Sequence, residues 1–176
     1  MDQRSVAAER ERAGVVVAVC ISAGGIPKRP VDAAEVSASG LLGDGHDHAK
    51  HWHPDRAVSI QDFELVEQVA AEGYPVGPGI MGENITVRGS NVQGLAPGFR
   101  LRFDGGPVLE LTAIRKPCYV LDAIHPDLKD VVLGRCGFLC RVVTTGTLRV
   151  GQRLVVEPPR GRDCGKTSGR HVSHPS

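Results

Sequence analysis

The chain has no excess of charge of either sign: 21 Lys and Arg stand against 20 Asp and Glu in 176 residues. So balanced a composition gives no electrostatic reason to bind nucleic acid or a membrane surface. It also lacks any apolar run near the roughly 20 residues that a membrane helix needs, and the opening Met1-Asp2-Gln3-Arg4 has no signal-like apolar region. A cytoplasmic protein is expected. The five cysteines are odd in number, irregularly spaced and without a Cys-x-x-Cys pair, which argues against a disulfide framework or a zinc knuckle. Reduced thiols follow. Two glycine-rich patches, Ala23-Gly24-Gly25-Ile26-Pro27 and Gly77-Pro78-Gly79, lack the strand, helix and lysine of a phosphate-cradling loop and read as turns. Internal repeats and an interdomain linker are missing too, and the length suits one domain.

What the chain does contain is a succession of short β-branched runs, at 15–21, 32–36, 57–60, 84–87, 100–103, 108–114, 139–143 and 153–156. Gly and Pro clusters punctuate them at intervals that suit a barrel or sandwich, so the expected fold is mainly β. One segment departs from this pattern. Over 59–72, Ser59 stands as an N-cap, Asp62 and Glu64 occupy the first turn, and Phe63, Val66 and Ala70 recur at helical spacing before Gly73 and Pro75. That predicts one peripheral helix, with a second, shorter one over 126–133 after His125. The polar ends, 1–13 and 159–176, are expected to be flexible, leaving 14–158 as the folded domain.

Several groups invite chemistry. Cys118 follows Arg115-Lys116-Pro117 at the end of the run 108–114, where a stopping strand releases the sulfur beside two cations that favour a thiolate. Cys136 and Cys140 lie in apolar surroundings and read as buried hydrophobes. His46, His48, His51 and His53 fall within eight residues, beside Asp44, Asp47 and Asp55; they read as a divalent-metal site or as a solvated loop. Asp44 after Gly43 is a turn residue or a functional carboxylate. Arg56 suits a bidentate grip on phosphate or carboxylate, or a structural ion pair with Asp44 or Glu83. Glu83 and Asn84 precede a strand, where they bond an incoming loop or move a proton at a ligand. Lys116 and Arg115 steer anions or decorate the surface, and strand alternation puts only one of them on a given side. Arg135 is the one member of Gly134–Gly137 with reach to a ligand.

Taken in order, Gly40-Leu41-Leu42-Gly43-Asp44-Gly45-His46, Asp55-Arg56-Ala57-Val58-Ser59, Gly82-Glu83-Asn84-Ile85-Thr86-Val87, then Cys118, Gly134-Arg135-Cys136-Gly137 and Leu148-Arg149-Val150-Gly151-Gln152 form a pattern across 15–157. It resembles the MOSC domain, the β-barrel module at the C-terminus of molybdenum cofactor sulfurases and in free-standing bacterial proteins. The resemblance implies a MOSC-like β-barrel whose signature segments converge on one pocket. There Cys118, Arg56 and Glu83 would be the catalytic groups, and Asp44, Asn84, Lys116 and Arg135 would hold a cofactor. Metal would fall to Cys118, or to His46, His48, His51 and His53. The family commonly carries His-Gly-Gly-Pro-Asp-Arg where this chain has His51-Trp52-His53-Pro54-Asp55-Arg56.

By the same resemblance the ligand is a molybdenum-pterin cofactor with Cys118 on the metal, as in amidoxime reducing components, or Cys118 carries sulfur supplied by a cysteine desulfurase. Free-standing bacterial relatives are linked to detoxification of N-hydroxylated base analogues. Pyridoxal phosphate belongs to the desulfurase domain of the sulfurases, for which this chain has no room, and is not supported by its residues. Two other readings stay open: a metal-dependent C–S lyase or other small-molecule enzyme using the histidine loop with Glu83 as acid/base, and a non-catalytic module docking on a separate desulfurase or molybdoenzyme.

Overall fold

The computed structural model describes residues 12–45 and 53–160. Its longest strand, β1 (Ala13–Ile21), is the branch point of the fold: its first half pairs antiparallel with one strand and its second half with another. The chain continues through β2 (Arg29–Val31), β3 (Ala33–Ser37), β4 (Gly40–Leu41), β5 (Val58–Asp62), α1 (Phe63–Ala71), β6 (Ile85–Arg88), β7 (Arg100–Phe103) and β8 (Val108–Ile114). Then come α2 (Leu128–Val131), β9 (Phe138–Thr144), β10 (Gly146–Arg149) and β11 (Arg153–Glu157). Seven strands in the order β11-β7-β8-β9-β5-β6-β1 close into a barrel through the β1–β11 pairing, which leaves no open edge between them. β2 extends β1 beyond the closure, and β10, β3 and β4 form a small second sheet. Among the described residues no helix is long and apolar enough to cross a membrane.

The mainly β barrel agrees with the strand grammar, and three details correct it. The expected helix over 59–72 starts only at Phe63, because residues up to Asp62 continue β5, all five of whose residues are buried. Val58 and Ile60 join the barrel core, while the alternate polar side chains find partners in the strand conformation: Ser59 with Asn84, and Gln61 Nε2 with the Arg135 carbonyl. Asp62 does stand at the N-cap of α1, yet its carboxylate accepts from the Val92 and Gln93 amides at 2.8 and 2.7 Å instead of capping its own helix. The second helix is one turn of four residues, shorter than 126–133, and a 3-10 turn at Tyr119–Ala123 precedes it. The run 32–36 becomes β3 from Ala33 on, since at Asp32 the chain changes sheets between β2, which pairs with β1, and β3, which pairs with β10. At the start of β1, Ala13 already pairs with Val155.

β5 and β6 are parallel, the one such pair among the described strands. Parallel neighbours cannot be joined by a hairpin, so the chain crosses over through α1, whose buried face carries Val66 and Val69. Val66 and Val69 pack there with Met81, Leu121, Leu128, Val132 and Cys136 in a satellite core, separate from the barrel core around Phe103, Leu109, Leu111 and Phe138.

Gly137, at the entry to β9, is where the two cores meet. Its φ is 76°, and a Cβ there would lie 1.9 Å from the Ile60 carbonyl oxygen and 2.9 Å from Gln61 Oε1. Backbone oxygen cannot yield as a flexible side chain does. Gly137→Ala is therefore expected to cost upward of ~3 kcal/mol through left-handed strain and overpacking. A urea midpoint unchanged from that of the wild type would refute this placement of the two strands.

Candidate functional site: a cationic cleft at one barrel end

At one end of the barrel the start of β6, the N-terminal part of β5, the exit of β8 and the entry of β9 surround a cleft of about 630 Å³. Its polar wall comprises Lys28, Asp44, Arg56, Asn84, Arg115 and Lys116, and Ser59, Gly82, Ala113, Ile114 and Leu139 complete it. The volume lies within the range of small-molecule sites.

Asp44 is the hub of the inner wall. One carboxylate oxygen accepts from the Ser22 amide at 2.9 Å; the other accepts from Lys28 Nζ at 2.6 Å and from Asn84 Nδ2 at 2.9 Å. Asn84 is equally committed: its amide oxygen accepts from both the backbone and the hydroxyl of Ser59 at 3.1 Å, and its Nδ2 also donates to the Cys20 carbonyl at 3.2 Å. The Asp44–Lys28 pair is nearly sealed, with the two side chains 3% and 11% exposed. This inner wall is a satisfied network that fixes β1, the Gly43 turn and β6 to one another.

The outer wall is different. Arg115 donates through Nη2 to the Met81 carbonyl, whereas the side chains of Arg56 and Lys116 have no hydrogen-bond or ion-pair partner among the described residues. Among the described residues, four cationic side chains thus line the cleft with one carboxylate, and that carboxylate is already paired with Lys28. Both Arg115 and Lys116 line the cleft, contrary to the alternation argument, because β8 ends at Ile114 and the period of two ends with it.

The other expected site residues fall outside this lining. Glu83, between the lining residues Gly82 and Asn84, is wholly buried; Oε1 accepts from the Gly79 amide at 2.8 Å and Oε2 has no partner among the described residues. Cys118 lies two residues beyond Lys116, exposed and in extended backbone, at the N-cap of Tyr119–Ala123. Arg135 is turned to another task. Its guanidinium grips the Glu72 carboxylate at 2.6 and 3.0 Å and donates to the Val131 carbonyl, tying the end of α1 to α2. That pairing holds the Glu72 carboxyl below its usual range and raises the arginine further.

His46, His48 and His51 lie outside the described residues. His53 is within them, and its Nδ1 accepts from the Asp55 amide at 3.2 Å, capping the 3-10 turn Pro54–Arg56. Among the described residues no three His, Cys, Asp or Glu side chains gather as a metal-binding group. Sequence reasoning missed Lys28, which has no local signal: its partner Asp44 is 16 residues away and meets it only through the sheet.

Burial sorts the thiols. Desolvation pushes Cys20 up to about 11, with the nearby Glu83 charge adding to it, and raises Cys136 and Cys140 as well. Cys118, exposed, is expected to be alkylated by iodoacetamide at neutral pH well before these three. Peptide-resolved rates check this, and equal labelling of Cys118 and Cys20 would contradict the structure.

Comparison with known proteins adds a family. The MOSC domain model matches residues 47–155. A reductase from Gibberella moniliformis is 28% identical over 126 residues, which is 67% of this chain but only 22% of that protein, so the chain spans about a fifth of the curated relative's length. The crystal structure of the YuaD protein from Bacillus subtilis superposes with a TM-score of 0.72 at 21% identity, covering 84% of this chain and 97% of that one. YiiM from Escherichia coli does so with a TM-score of 0.62 at 24% identity, covering 85% and 70% respectively.

Proposed function

Because this chain belongs to the MOSC domain family, we propose that its cleft holds an anionic cofactor of the molybdenum-pterin type in the metabolism of molybdenum cofactor, sulfur or N-hydroxylated compounds. The observation that carries this reading is that, among the described residues, the side chains of Arg56 and Lys116 have no partner, on a cleft whose one described lining carboxylate is already neutralised. Leaving two cations side by side without counter-ions is unfavourable for the folded chain and favourable for a bound anion.

The residues fit such a group. Arg56 offers a planar fork for a phosphate and Lys116 a point charge, while Arg115, held by the Met81 carbonyl, brings a third positive charge to the same wall. Cys118 is the soft, accessible sulfur next to this wall in the chain, of the kind that ligates molybdenum once deprotonated. Bound there, molybdenum would supply two-electron redox chemistry, to which the reductase similarity lends a direction. The chain's own part is to hold the anion by charge and to present the sulfur. Glu83, buried next to Gly82 with Oε2 unpartnered among the described residues, is the acid/base candidate beside the cleft.

A second reading draws on the exposure of Cys118 outside the cleft lining. An exposed thiolate suits sulfur carriage: it would take the terminal sulfur of a desulfurase persulfide, forming a new S–S bond and releasing the partner's thiolate. The histidine-loop lyase gains no support from the described residues, and the partner-module reading is the outcome if both others fail. Elemental and fluorescence analysis of purified protein separates them. Molybdenum with a fluorescent pterin is expected; a persulfide on Cys118 after incubation with a desulfurase and cysteine would favour sulfur carriage; neither would leave a docking module.

A further inference from the structure

The register of β8 against β9 slips between Leu111 and Ala113: Leu111 faces Cys140, Ala113 faces Leu139, and Thr112 is the extra residue of a β-bulge. Its hydroxyl lies within hydrogen-bonding distance of two carbonyls, that of Leu139 on β9 at 2.9 Å and that of Asp55 in the turn preceding β5. Arg56 is the next residue of that turn, and Ala113 to Lys116, just past the bulge, line the cleft. One side chain therefore joins the three segments that bring the outer cations together.

The turn needs such a tether. None of its three residues, Pro54, Asp55 or Arg56, is buried, so although it lies against β9, little buried surface of its own holds it there. Among the described residues the other side-chain tie to the barrel is the Arg141–Asp55 pair at 3.7 Å, with both side chains 48% exposed, and exposed pairs at such distances contribute little. We propose that Thr112 is a positioning residue, whose hydroxyl holds the Pro54–Arg56 turn against the bulge and so sets Arg56 at the right distance from Arg115 and Lys116 for one anion to engage them together. This rests on the reading of the cleft as an anion site.

Thr112→Val keeps the shape and removes the donor; Thr112→Ser keeps the donor. With inorganic pyrophosphate as probe, Thr112→Val should bind roughly five- to tenfold more weakly and Thr112→Ser within about twofold of wild type. Independently of any ligand, amide hydrogen exchange in Thr112→Val should quicken at residues 55–57 and stay unchanged in β1 and β11. Exchange at 55–57 that does not move, or that quickens equally throughout the barrel, overturns the positioning role. If wild-type protein fails to bind pyrophosphate, the anion-site reading falls, while the exchange pattern still decides whether Thr112 holds the turn.

Discussion

Asp44→Ala is expected to destabilise the protein by about 3–5 kcal/mol, the range for breaking a buried ion pair from one side. The substitution leaves the Ser22 amide, the Lys28 ammonium and the Asn84 amide group without their acceptor, in a place where Lys28 is only 11% exposed. Lys28 would then be an unpaired cation among Arg56, Arg115 and Lys116, adding repulsion to desolvation. Urea unfolding gives the number. Lys28→Met in the Asp44→Ala background should recover part of the loss, since it removes the stranded charge, and the double-mutant cycle measures the coupling. A loss under about 1 kcal/mol with no coupling would mean that the inner wall is held by something else.

Arg56→Ala should behave in the opposite way, with unfolding free energy within roughly 0.5 kcal/mol of wild type and anion affinity reduced about 10- to 100-fold. The first half follows because the Arg56 side chain has no partner to lose among the described residues, the second because a charge-assisted contact to a phosphate oxygen contributes about 1.5–3 kcal/mol. Titration with pyrophosphate at two salt concentrations tests it, since binding through exposed cations weakens as salt rises. Affinity unchanged in a stable Arg56→Ala protein would remove the observation on which the proposed function stands.

These contrasting outcomes mark two kinds of polar residue that look alike in the chain. Asp44 and Arg56 are both charged, both beside a turn and both in family-like segments, so the pattern supports either role for each. The tertiary structure separates them: Asp44 is saturated by three segments, and the Arg56 side chain has no partner among the described residues. Arg135 drew the same expectation as Arg56 because an arginine between glycines has reach, but Glu72, 63 residues earlier, takes its guanidinium.

The strand pattern was legible by itself because alternating burial leaves a period of two in the residues: the runs 100–103 and 108–114 coincide with β7 and β8. So were the buried state of Cys136 and Cys140, written in their apolar neighbours, and the family, written in segments whose order does not depend on contacts. Boundaries and partners were not. Ser59–Asp62 carries helix-start chemistry, yet burial between β6 and β9 makes it strand, because a tertiary environment that satisfies Ser59 and Gln61 outweighs a local propensity worth tenths of a kcal/mol. Lys28 beside Asp44, and Thr112 hooked to the Asp55 carbonyl 57 residues away, exist only once the barrel has closed. A local sequence records what a residue prefers and which face it shows; which distant group meets it there is set by register and bulge, and only the assembled sheet fixes those.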